Sequence, residues 1–228
     1  MKALTKIFVA FVLSLFLVVP AFAVPILDFE GGTAQGIGTV TVVGNVATGT
    51  NIGLDSFIAI GTSADGNYDL TGALASPGDL HEGTAAALNF TFNKATKTGT
   101  ISIVGGLQTI LGPPPPGTQV VPNGSPLLTG TFTDGSFTAG SVAFNMVASG
   151  PDTKDRALLV FFGIDPTNPF NFMSTNFSGN SEGTGSPYVA TSTDVFNSGK
   201  VPEPMSLILL GGGLAGASLY RRLRKPKA

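Results

Sequence analysis

Two uncharged apolar runs, one near each end, remove both ends of this chain from any water-soluble core and leave a single stretch between them to fold. The first, Ile7–Val19, follows Lys2 and Lys6 and is interrupted only by Ser14. Pro20 breaks it, and Ala21-Phe22-Ala23 comes next, with Ala21 and Ala23 as the small residues a signal peptidase reads. The run falls well below the ~20 residues that span a bilayer. It predicts a signal peptide over 1–23, export through the Sec machinery, and a mature chain that starts at Val24. The second run, Met205–Tyr220, is followed by Arg221-Arg222-Leu223-Arg224-Lys225-Pro226-Lys227-Ala228. It predicts a transmembrane helix of about 24 Å, extended by snorkelling arginines and by Tyr220 at the interface. Basic residues stay on the cytoplasmic side, so the body lies outside and the tail, 221–228, inside.

Two motifs within the second run mislead. Gly211-Gly212-Gly213-Leu214-Ala215-Gly216 fits the dinucleotide fingerprint, but that needs a βαβ unit and an acidic residue about 20 positions later, beyond the last residue here. Gly212 and Gly216 form a GxxxG pair, a weak signal in a glycine-rich segment. A eukaryotic lipid-anchor signal also ends in an apolar tail, but not in a basic cluster. Just before the run stands Val201-Pro202-Glu203-Pro204. Two prolines hold such a strip extended and keep it out of the following helix, where a protease can grip it.

Motif, short Leu/Gly-rich helix and terminal basic cluster, in that order, resemble the PEP-CTERM sorting domain of Gram-negative bacteria. The resemblance covers about the last 28 residues. It implies that Pro202, Glu203 and Pro204 are recognised by an exosortase-type membrane protease. It also implies that Arg221, Arg222, Arg224 and Lys225 retain the tail at the inner membrane. The body would wait in the periplasm and pass to the cell surface or to extracellular polysaccharide after cleavage.

From Val24 to Glu203 there are 14 acidic and 5 basic residues, hence a net charge of −9. An acidic body argues against nucleic acid, whose affinity comes from basic residues on phosphates. The absence of cysteine excludes disulfides and thiolate chemistry. The segment 24–194 is one domain's worth of chain, with 195–201 as a linker and 202–228 as the sorting segment.

Within that domain, apolar residues alternate with polar ones between Gly, Asn, Asp and Pro signals. Expected strands are Ile26–Glu30, Gly38–Val43, Ser56–Gly61, Ala87–Phe92, Thr98–Val104, Leu127–Thr133, Gly135–Gly140, Val142–Ala148 and Tyr188–Phe196. Ala157–Ile164, continuously apolar, is expected as a central strand buried on both faces. Lys94–Lys97 reads as one hairpin turn and Asp134-Gly135 as another. The proline run in Leu111–Pro126 and the Ser/Gly/Asn-rich Asn176–Pro187 read as loops. The fold class expected is mainly β, an antiparallel β-sandwich with jelly-roll character.

Candidates for chemistry are sparse. The one histidine, His81, begins a His-Glu pair that lacks the second His of a zinc protease and reads as a polar loop. Asp65, Asn67 and Asp69 set oxygen ligands at alternate positions, as calcium loops do, but without an EF-hand's Gly at position six or Glu at position twelve. Turn chemistry accounts for them as well, and Asp152 and Asp155 read as a solvated turn. Glu30, Glu82 and Glu182 are the glutamates a two-carboxylate glycosidase would draw on, with nothing in their spacing to pair them. Tryptophan, the usual sugar platform, is absent, and the 17 phenylalanines fall mostly on strand-like positions. Three readings follow: a non-catalytic surface or matrix protein without a cofactor, a carbohydrate- or calcium-binding module of the extracellular polymer, and a secreted hydrolase.

Overall fold

Alternation becomes pairing wherever one strand face can be buried, and in β11 (Ala143–Lys154) it holds along the whole length. Phe144, Met146, Ala148, Gly150, Asp152 and Lys154 are buried and the intervening residues largely exposed. The computed structural model describes residues 25–31, 38–72, 74–75, 84–111, 114–167, 172–181 and 183–198. The signal segment 1–23, His81, Glu82, Glu182 and the sorting segment 202–228 lie outside them. No helix among the described residues is long and apolar enough to cross a membrane.

In chain order the strands are β1 (Ile26–Glu30), β2 (Thr39–Val43), β3 (Val46–Leu54), β4 (Ser56–Ile60), β5 (Gly66–Thr71), β6 (Leu74–Ala75) and β7 (Thr84–Asn93). There follow β8 (Thr98–Thr109), β9 (Gln119–Phe132), β10 (Asp134–Ala139), β11, a short helix α1 (Arg156–Phe161), β12 (Phe172–Asn180) and β13 (Val189–Ser198). All the strand pairings are antiparallel.

The mainly antiparallel β class is as expected. The strands do not separate into two sheets, however; they form one 13-stranded network. β8 pairs β9, β9 pairs β11, and the chain of partners continues through β12, β13, β1, β4 and β5 back to β8. A second route from β8 runs through β7, β3 and β2, and Val40 of β2 bridges to Tyr188 beside β13. The sheet thus closes on itself at two heights. β1-β4-β5 spans from Glu30–Ile26 opposite Asp194–Ser198 to Tyr68–Thr71 opposite Gly106–Thr109, while β7 takes the other half of β8.

The interior is a single apolar cluster to which almost every strand contributes. Phe90 of β7 stacks on Phe177 of β12 with ring centroids 5.3 Å apart, which brings two non-paired walls into contact. Gly49 faces that stack, and a Cβ there would run into the Phe90 ring. In the other half Phe29, Phe57, Tyr68 and Phe162 meet at centroid distances of 4.8–6.2 Å.

Several sequence expectations change. Ala157–Ile164 is not a strand: the Asp155 carboxylate accepts from the N–H groups of Ala157 and Leu158 and starts α1. Leu158, Leu159 and Phe162 are buried and Val160 is exposed, a helical spacing that a continuous apolar run conceals. Asp134-Gly135 is not a hairpin turn, because β9 and β10 lie along the same edge of β11 with a break at Thr133. The true hairpin joins β10 to β11 through Gly140–Val142. β12 occupies the first part of the expected Asn176–Pro187 loop, its Ser and Asn facing out while Met173, Thr175 and Phe177 face in. β9 begins at Gln119, within the expected proline-rich loop. β13 runs on to Ser198, with Val195 fully buried opposite Phe29, which leaves 199–201 between the sheet and the sorting segment.

Candidate functional site

The proposed calcium ligands Asp65, Asn67 and Asp69 lie along the β4–β5 turn and the start of β5. Asp65 lies in the β4–β5 turn, where the Thr62 N–H and hydroxyl donate to its Oδ1 at 2.6 and 3.0 Å. Those bonds, led by the backbone one, hold its carboxyl below the usual range. Asn67 and Asp69 follow on β5, with Tyr68 between them turned into the core, its hydroxyl donating to the Ala64 carbonyl at 2.7 Å. Among the described residues no group of three or more His, Cys, Asp or Glu is placed to hold a metal ion.

The carboxylates that do meet stand elsewhere, on the outer side of β1 and β13. The register sets Glu30 directly opposite Asp194, and Asp28 one step along the same face. The Asp28 and Asp194 carboxyls lie near enough for a hydrogen bond that favours the protonated form of Asp28. Burial, then that bond, then the charges of Asp194 and Glu30 push Asp28 up to about 7. Burial and the charges of Asp194 and Asp55 raise Glu30 as well. The result is a set of three carboxyls crowded on one face, with Asp28 and Glu30 both held above the usual carboxylate range. No local sequence signal reveals it, because its two strands come from opposite ends of the body.

A second ionic feature lies inside. Asp152 and Lys154 share the inward face of β11, both side chains fully enclosed, with Lys154 Nζ 2.7 Å from Asp152 Oδ1. Burial raises the aspartate and lowers the lysine, and each partly restores the other. Asp152 is therefore not in a solvated turn; Pro151 and Thr153 carry the exposed face of that strand. Asp155, two residues on from Thr153, caps the helix.

Glu30 is the one described member of the three candidate glutamates, and its neighbours are Asp28 and Asp194. The residues singled out for sorting, Pro202, Glu203, Pro204, Arg221, Arg222, Arg224 and Lys225, follow β13 beyond the described residues. A family model described as the PEP-CTERM protein-sorting motif matches residues 200–225. The C-terminus is a PEP-CTERM sorting motif. The match takes in the Pro-Glu-Pro strip, the apolar run and the basic residues through Lys225, and it begins two positions after β13 ends. The PEP-CTERM motif marks the chain for export and for handling by an exosortase, a membrane protease. No curated protein and no solved structure is significantly similar to the chain.

Proposed function

We propose that this chain is an exosortase substrate whose β-body serves as a non-catalytic component of the cell surface or extracellular matrix. The motif match at 200–225, set directly after the last strand, carries the reading. The signal peptide over 1–23 delivers the body across the inner membrane and is removed after Ala23. The helix over 205–220 then holds the chain with its body outside, and the basic cluster keeps the tail in the cytoplasm. Cleavage at Pro202–Pro204 frees the body for the surface. A strip of three residues, 199–201, lies between sheet and motif. It spans about 10 Å when extended, so the protease meets its site close under the folded body.

The body suits a structural role. Its closed network leaves few free strand edges for unwanted pairing, and several of its ionisable groups serve a turn, a helix cap and the enclosed pair. Changing Pro202 and Pro204 together to Ala tests the sorting step. Full-length protein should then accumulate in the inner membrane fraction. Normal release of the double variant would rule out recognition of the Pro-Glu-Pro strip.

A further inference from the structure

On the outer face of the network, threonines line up from strand to strand. Thr41 stands opposite Thr48, Thr48 opposite Thr91, Thr91 opposite Thr100, and Thr100 opposite Thr131. The row crosses β2, β3, β7, β8 and β9. A second row, Asn89, Ser102, Thr129 and Thr153, runs beside it across β7, β8, β9 and β11. Neighbours in a row are about 4.8 Å apart and the rows about 6.8 Å apart, the two spacings of a pleated sheet. Thr48 is half-buried and the rest of the first row exposed, and the Thr91 and Thr100 hydroxyls bond at 2.9 Å. Both rows end in a depression of about 410 Å³ between β9 and β11, lined by Thr129, Gly130, Thr131, Pro151, Asp152 and Thr153. The Asp152 carboxylate points away from it into the core, paired with Lys154. The depression is shallow and open to solvent, as a surface that receives a long chain rather than an enclosed small molecule would be.

Strand preference explains a threonine at any one of these positions. It does not explain two adjacent rows without a charged, aromatic or aliphatic member in a body of net charge −9, nor their convergence on a recess. We propose that the two rows and the recess form a docking face for an extended, uncharged polysaccharide chain lying across the strands. A threonine hydroxyl both donates and accepts, so it pairs with a sugar hydroxyl in either sense, while its methyl packs on ring C–H groups. The lack of charge matches a neutral polymer, and the acidic remainder of the body repels a polyanionic one. Each such bond is weak, so useful binding needs many at once and grows with polymer length. The shallow recess where the rows end adds the Pro151 ring and the Gly130 backbone to the hydroxyls along the row. This inference rests on delivery of the body to an extracellular polymer, and its test is independent of sorting.

The test is affinity electrophoresis of the full chain in detergent through gels containing hydroxyethylcellulose, dextran or, as the anionic control, alginate. The variants are Thr91→Val, Thr100→Val and Thr131→Val combined, which keep shape and strand preference, and Ser192→Ala on the outer face of β13. Thermal melting establishes that each is folded. We expect retardation by at least one neutral polymer, insensitive to salt and absent with short oligosaccharides. The triple variant should bind about tenfold or more weakly, and Ser192→Ala should be unchanged. No retardation by either neutral polymer, equal binding by the folded triple variant, or binding confined to alginate would overturn the proposal. So would ice-shaping without glycan binding, which would assign the rows to ordered water, or a dimer that the triple variant dissolves. None of these outcomes touches the sorting reading, which stands on the processing of Pro202–Pro204.

Discussion

Asp28 and Asp194 meet because β1 and β13, the first and last strands, are hydrogen-bonded neighbours. Their proximity has a consequence for stability. Asp28 is raised from an ordinary aspartate value to about 7 in the folded chain, so folding favours its protonated form. That contribution is complete below the unfolded pKa near 4 and is lost as pH rises through about 7. Glu30 is raised too and acts in the same direction. We predict that urea-unfolding stability falls between pH 4 and pH 8 by an amount on the order of 1–2 kcal/mol, once solvent screening is allowed for. Asp28→Asn keeps a donor toward Asp194 and removes the repulsion, so it should be the more stable protein at pH 8 and flatten the slope. An unchanged slope in that variant would mean that Asp28 does not carry the pH dependence.

At the scale of elements, the seam between β9 and β11 closes the network through only three residue pairs, Gly130–Asp152, Thr129–Thr153 and Leu128–Lys154. The enclosed Asp152–Lys154 pair sits on the core side of that seam. Breaking a buried pair leaves one charge uncompensated, so Lys154→Met should cost about 3–5 kcal/mol in urea unfolding. Asp152→Leu combined with Lys154→Met should recover most of that loss, and a double variant as unstable as the single one would contradict this view of the pair. Neither residue could be placed inside from the sequence. Asp, Thr and Lys in succession have the composition of a turn, and only the unbroken alternation from Phe144 onward puts 152 and 154 on the buried face. The same alternation made β1, β4 and the β7–β8 hairpin legible, since Phe29, Phe57 and Phe90–Phe92 are separated by polar residues. It was silent for α1, where eight apolar residues in a row carry no period. It also failed at β12 and β5, whose Ser, Asn, Gly and Asp face solvent from strands that bury only one side. The carboxyl cluster and the threonine rows were illegible for a different reason: both depend on strand register, which no short stretch of sequence encodes.

Across the whole molecule, the two ends of the body lie side by side. Ile26 pairs with Ser198, so the first strand after the signal segment and the last before the motif share one ladder. Under the proposed sorting, a chain held by its tail would present both ends of the body at the same place. The sheet is complete only when β13 has joined β1 and β12. Folding of the body thus needs the chain to within a few residues of the Pro-Glu-Pro strip, and the proposed cleavage there would remove no strand of the sheet. The sorting motif was readable from local residues because a protease and a membrane read it locally, as extended prolines, an apolar run and a basic cluster. Intact-mass measurement of the protein recovered from its native host tests this account most directly. A polypeptide beginning at Val24 and ending near Pro202–Pro204 is the expected result. A surface-located species that retains Met205–Lys225 would contradict it.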